Sequence, residues 1–206
     1  MNRNLPPLHA VTNSTILGLT DFQRRATEIA RSLQVALHVR TDSLGARCLT
    51  DLTLATKAIC SARGAHIFVN DRVDIALAAA ADGIHLPGGG IPTTYVRELT
   101  GPDVWIGRST HSVDEALAAQ DEGVDYVFLG PIWPTTSHPG RPALGTVAIS
   151  AARRARVIAI GGVTPERVRE VLSEGAAGVA VLSGIWHSTD VEVSAGAYLA
   201  ALTEAG

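Results

Sequence analysis

Val157-Ile158-Ala159-Ile160-Gly161-Gly162 and Val179-Ala180-Val181-Leu182-Ser183-Gly184 are two short apolar runs that end in glycine turns, each followed by a helical pattern. A run that is apolar throughout reads as a strand buried on both faces, the habit of a parallel sheet covered by helices. A glycine turn between such a strand and a helix lets the backbone come close to a ligand. Its unpaired N–H groups, with the helix dipole, favour an anion. In a barrel of eight βα units the phosphate site is built after strands seven and eight. The ordered pair therefore predicts the end of such a barrel and a small phosphorylated ligand held by Gly161, Gly162, Ser183 and Gly184.

Working outward, six more strand-like runs precede these two, at 8–12, 36–40, 66–70, 83–86, 104–109 and 126–130. The two quoted runs are strands over 157–161 and 179–183. Helical patterns alternate with them at 21–33, 51–62, 71–80, 93–99, 112–122, 146–153, 164–173 and 191–203. Asp21, Asp51, Ser112 and Thr164 are candidate N-caps. Ser112 with Glu115 fits a capping box, and Pro165 suits a first helical turn. A weak repeat closes helices and opens strands at Ala80-Ala81-Asp82-Gly83-Ile84, Gly123-Val124-Asp125-Tyr126-Val127 and Gly175-Ala176-Ala177-Gly178-Val179. Strict alternation predicts one (β/α)8 barrel, α/β class, over 1–206, with a doubly wound open sheet as the rival. The segment 131–145, rich in Pro, Gly, Ser and Thr, follows strand six and reads as an active-site loop.

Composition excludes several classes. A hydrophobic fraction of 46% with 18% charged residues is ordinary globular material. A net charge of −3 gives no basic footprint for nucleic acid. No apolar run reaches membrane-spanning length, and residues 1–10 show no signal-peptide pattern, so a cytoplasmic protein is expected. Cys48 and Cys60 lack Cys-x-x-Cys spacing and read as small buried side chains. The oligomeric state is open, a homo-oligomer included.

The polar residues at predicted strand ends converge on one face of a barrel. His38 and Arg40 alternate with Val39 and so share a face. Strand three ends at Asn70-Asp71, and strand five at Arg108-Ser109-Thr110-His111. Arginine beside a phosphate site suits an anionic substrate, and a histidine there suits proton transfer. His85, inside an apolar strand, reads as a hydrogen-bonded core residue, and His9, His66 and His187 as structural. No His/Cys/Asp/Glu set has zinc spacing.

The strings His38-Val39-Arg40, Asn70-Asp71-Arg72-Val73-Asp74, Ala81-Asp82-Gly83-Ile84-His85-Leu86, Ile106-Gly107-Arg108-Ser109-Thr110-His111, Asp125-Tyr126-Val127-Phe128-Leu129-Gly130-Pro131 and the two glycine turns resemble the thiamin-phosphate synthase/TenI superfamily. The resemblance runs from Leu8 to about Ile185. It implies a (β/α)8 barrel in thiamin metabolism. Two activities divide the superfamily. The synthase joins a pyrimidine diphosphate to a thiazole phosphate and releases pyrophosphate with Mg2+. The TenI branch is a metal-independent thiazole tautomerase.

Three synthase features are altered here. The pattern Gln-x-Arg-x-Lys reads His38-Val39-Arg40-Thr41-Asp42. A second carboxylate for Mg2+ is replaced by Pro87-Gly88-Gly89-Gly90. The loop pattern Pro-Thr-x-Thr-Lys reads Pro134-Thr135-Thr136-Ser137-His138, and the chain's only lysine is Lys57. A leaving pyrophosphate needs concentrated positive charge. These losses favour the tautomerase, an isomerase without cofactor, with His111 as acid/base. His38, Arg40, Asn70, Arg108 and Trp133 would bind the thiazole substrate, and no metal is expected. The alternatives are the Mg2+-dependent synthase, in which Asp71 is the metal ligand, and a non-catalytic thiazole-phosphate binder.

Overall fold

The computed structural model describes residues 4–135, 140 and 142–205. Eight parallel strands pair in sequence order and close into a barrel. They are β1 (Leu8–Val11), β2 (Val35–Val39), β3 (His66–Asn70), β4 (Gly83–Leu86), β5 (Trp105–Thr110), β6 (Tyr126–Leu129), β7 (Val157–Ile160) and β8 (Gly178–Val181). β8 pairs with β1 through Leu8 and Val179, so the open-sheet rival does not form.

The helices, in chain order, are α1 (Ser14–Leu17), α2 (Phe22–Ile29), α3 (Ala46–Arg63), α4 (Val73–Ala78), α5 (Thr93–Thr100), α6 (Val113–Asp121), α7 (Val147–Ala151), α8 (Val168–Ser173), α9 (Ser183–Trp186) and α10 (Val191–Glu204). A 3-10 turn, Pro165–Arg167, leads into α8. None of the described helices is long and apolar enough to cross a membrane.

Local details refine the sequence reading. Ser112 does cap α6, accepting from Glu115 N at 3.1 Å. The Glu115 carboxylate accepts from His111 N at 2.7 Å, one residue before the position a capping box would use. Asp21 caps nothing and pairs with Arg24 and Arg25 instead. Asp51 lies inside α3, which starts at Ala46 behind Gly45. Thr164 makes no side-chain cap bond. The short helices α1 and α9 were not anticipated, since one turn leaves too little periodicity to see. Cys60 is buried, and burial pushes its thiol up to about 12, whereas Cys48 is exposed, contrary to expectation.

Alternation along each strand sends one set of side chains to the helices and the other inward. Leu8 and Ala10 join the large cluster under the helices. Val11, Ala36, Phe68, Trp105, Tyr126, Phe128, Ile158 and Ala180 fill the barrel. Gly107 makes room there: a Cβ at that position would lie 2.1 Å from the Tyr126 ring. The interior is also polar. His9, His38 and His85 are almost wholly buried among these rings.

Burying a polar group is costly unless it is hydrogen-bonded, and the histidines are bonded. His9 Nδ1 lies 2.8 Å from His38 Nε2, and His38 Nδ1 lies 3.2 Å from Asn70 Oδ1. His85 bridges Tyr126 Oη at 3.1 Å and Ser109 Oγ at 2.9 Å. Burial holds all three imidazoles neutral, pulling His38 down to about 3 and lowering His9 and His85 strongly.

Candidate active site

The strands end slightly earlier than their apolar runs. Arg40, Gly130 and Gly161 therefore sit in the loops at the C-terminal mouth, and Ser183 opens α9 there. These loops enclose a cavity of about 600 Å3. Its wall carries Arg40, Thr41, Asn70 and Asp71 from the ends of β2 and β3. His85, Ser109, Thr110 and His111 follow from β4 and β5. Gly161, Gly162, Thr164, Arg167, Ser183 and Gly184 complete it after β7 and β8. In a closed ring of eight strands β3 and β7 stand opposite each other. The cavity thus has two polar ends, with Asn70 and Asp71 at one and the glycine turns at the other.

The glycine turn after β7 has the shape predicted. Gly161 and Gly162 adopt φ of 90° and 69°, the left-handed region open to glycine. The chain also passes too close for a side chain: a Cβ on Gly161 would lie 2.6 Å from Pro131 Cβ, and one on Gly162 would lie 2.7 Å from Trp133 Cβ. The N–H groups of Gly161, Gly162, Ser183 and Gly184 donate to no carbonyl among the described residues. Four unclaimed donors at one end of a cavity suit an oxyanion.

At the opposite end, Asp71 has φ of 64°, tolerated by Asp more readily than by most residues, and its N–H is fixed to the His85 carbonyl at 3.0 Å. It is not the helix start that the sequence suggested, since α4 begins at Val73. His111 lies between the two ends. Its Nδ1–H donates to the Gly130 carbonyl at 2.7 Å, which places the lone pair of the neutral ring on Nε2.

Three expected substrate contacts lie elsewhere. His38 is inside the barrel beneath the cavity and reaches it only through Asn70. It shares a face with Arg40 in the sequence, but β2 ends at Val39 and Arg40 turns out into the loop. Arg108 is buried on the outer side of β5, where it donates to the Ile91 carbonyl at 2.8 Å and Thr93 Oγ1 at 3.0 Å and pairs with Glu122 at 3.3 Å. It fastens the turn between β4 and α5 and does not line the cavity. Trp133 does not line the cavity either. It packs on the core with its ring under the Arg167 guanidinium, 4.8 Å from the guanidinium carbon. Arg167 is a wall residue that strand ends do not reveal, because it lies in the 3-10 turn after β7. Residues 136–139 and 141 of the loop, His138 among them, lie outside the described residues.

The chain matches the family model described as thiamine monophosphate synthase over residues 8–185. It is 43% identical over 176 residues to a thiamine-phosphate synthase of Chlorobium luteolum, covering 82% of this chain and 83% of that one. It is 40% identical over 203 residues to a thiamine-phosphate synthase of Chlorobium phaeovibrioides, covering 97% and 95%. Among solved structures, the thiamine phosphate pyrophosphorylase from Pyrococcus furiosus superposes with a TM-score of 0.83 at 27% identity, covering 98% of both chains. The chain belongs to the thiamine monophosphate synthase family.

These relatives overturn the tautomerase expectation. Proteins 40–43% identical to the chain along most of its length are named thiamine-phosphate synthases, which are transferases and not isomerases. That expectation rests on two absent lysines and one absent carboxylate. Cationic charge at the cavity is carried by Arg40 and Arg167 instead.

Proposed function

We propose that this family member is a thiamine-phosphate synthase, a transferase that joins a pyrimidine diphosphate to a thiazole phosphate. The bond to the diphosphate breaks as the bond to the thiazole forms, and pyrophosphate leaves. The observation that carries this reading is one cavity with two polar ends, lined by Arg40 and Arg167, in a chain whose relatives bear that name. The cavity wall holds Arg40 and Arg167 against one carboxylate, Asp71. That balance suits two phosphorylated substrates better than one.

Each residue then has a task. The N–H groups of Gly161, Gly162, Ser183 and Gly184 hold the thiazole phosphate. Arg40 and Asn70 hold the diphosphate and stabilise charge on the departing group, the usual work of a phosphate clamp. His38, from below, holds the Asn70 amide through a 3.2 Å contact. His111 is a polar contact in the wall between the two substrates, and the role of isomerisation acid/base falls away with the tautomerase.

Among the described residues no group of three or more His, Cys, Asp or Glu could cage a metal. Mg2+ does not need such a cage when it arrives with a substrate phosphate, since one or two carboxylates then suffice. The donor set fits that mode: Asp71 would hold Mg2+ together with the diphosphate. The ion would neutralise charge on the leaving group.

The test mixes the purified protein with pyrimidine diphosphate, thiazole phosphate and Mg2+ and follows pyrophosphate and thiamin phosphate together. Equimolar formation of both, suppressed by EDTA, is expected. Neither product above the enzyme-free rate overturns the reading.

A further inference from the structure

We infer that Arg167 is a specificity-determining residue for the phosphate group of the thiazole substrate, pre-set for that task by Trp133. The inference rests on the synthase reading for the name of the ligand. Arg167 lines the same cavity end as Gly161, Gly162, Ser183 and Gly184. Its Nη1 donates to the Gly162 carbonyl at 2.7 Å. Its guanidinium carbon lies 4.8 Å above the Trp133 ring, a cation–π distance. Trp133 in turn donates its backbone N–H to the Gly161 carbonyl at 3.0 Å. Guanidinium, indole and glycine turn therefore form one closed set of contacts.

The charge at this point is not closed by an ion pair among the described residues. Among the described residues no carboxylate lies within salt-bridge distance of Arg167, whereas Arg24, Arg25, Arg31, Arg72, Arg97 and Arg154 each have an acid partner; what sets Arg167 apart from other unpaired arginines is its place in the cavity wall at the glycine turns. Glu166, next in the chain, is engaged first by Thr164. A guanidinium offers five N–H donors, and the Gly162 carbonyl takes one. An exposed arginine held over an aromatic ring, bonded to a phosphate-binding turn and without an acid partner is built to meet an anion. Because its position is fixed beforehand, less side-chain entropy is lost on binding. The Asn70–Asp71 end belongs to strand β3, across the barrel, so Arg167 discriminates at the thiazole phosphate and not at the diphosphate.

The experiment compares wild type with Arg167→Gln and Arg167→Lys. Calorimetry measures binding of the thiazole phosphate and of the same thiazole with a free hydroxyl, and inorganic phosphate serves as competitor. Arg167→Gln is expected to weaken the phosphorylated ligand about tenfold or more, the scale of one charge-assisted contact. The hydroxyl form should bind unchanged, and the lysine variant should recover part of the loss. In steady state the KM for thiazole phosphate should rise while that for the pyrimidine diphosphate stays within twofold. Equal loss for both thiazoles would make Arg167 a structural brace of the turn and overturn the inference. So would a wild type that does not prefer the phosphorylated form. Because binding needs no turnover, a protein that fails to make thiamin phosphate refutes the synthase reading separately from this one.

Discussion

Lowering the pH from 7 to 5 should destabilise the barrel through its interior histidines. His38 is fully buried, and burial pulls its imidazole down to about 3 from the ordinary 6.5. As the pH falls below 6.5 the unfolded chain takes up a proton there that the folded chain refuses. Stability falls wherever the unfolded state binds more protons, so the loss begins near pH 6.5 and continues to the folded value near 3. Integrated from pH 7 to 5, that one group costs about 2 kcal/mol, at about 1.4 kcal/mol per pH unit below the unfolded value. His9 and His85 are lowered by burial as well and act in the same direction. The shifted carboxylates, Asp21, Asp42, Asp74 and Glu166, are lowered from ordinary values near 4 and titrate below this window. Against a total stability of about 5–15 kcal/mol, such a loss is easily read in urea melts at pH 7, 6 and 5. His38→Gln keeps a polar side chain beside His9 and Asn70 and removes the titration. Its acid-induced loss should be about 2 kcal/mol smaller than that of wild type. Equal losses in the two proteins would refute the account of a neutral buried imidazole.

Three further outcomes are expected. Gly162→Ala forces a side chain into a left-handed backbone position and 2.7 Å from Trp133 Cβ; it should cost about 1–3 kcal/mol and raise the KM for thiazole phosphate, and an unchanged KM would argue against the turn as the phosphate site. Arg108→Ala strips a buried cation from Ile91, Thr93 and Glu122 and should lower unfolding stability by about 2–4 kcal/mol, whereas a melt superimposable on wild type would contradict the fastening role. Asp71→Asn preserves a side chain tolerant of φ 64° and should raise the Mg2+ concentration for half-maximal rate by about tenfold; an unaltered Mg2+ curve would remove Asp71 from the metal.

The barrel is legible in the sequence because its strands are short apolar runs at regular intervals and its phosphate turns are written in glycine. Arg40, Asn70, Asp71 and His111 were found for the same reason, lying at or just past strand ends. His38 and Trp133 were misplaced because one residue decides whether a side chain at the rim points into the barrel, into the mouth or onto the core. Arg108 differs from its reading because a charged residue in a strand suggests a ligand, while its partners, Ile91 and Thr93, lie in the preceding turn and at the start of α5. Arg167 was overlooked although the signal was present: a cation in the first turn after Gly161-Gly162. Absent lysines and an absent second carboxylate point to an isomerase only if they mean absent charge, and Arg40 and Arg167 in the cavity wall keep that charge.

The loop after β6 is tied at both roots. Ile132 donates to the Ile160 carbonyl at 2.9 Å and Trp133 to that of Gly161 at 3.0 Å, while Leu144 and Gly145 return to the Pro131 and Ile132 carbonyls at 2.9 and 3.0 Å. Its ends are therefore brought together by the barrel's own backbone, whatever the length of chain between them. Loop closure costs only about 0.6 kcal/mol for each doubling of length, so with both roots tied, lengthening the chain between Thr135 and Pro142 should change the stability of the barrel little.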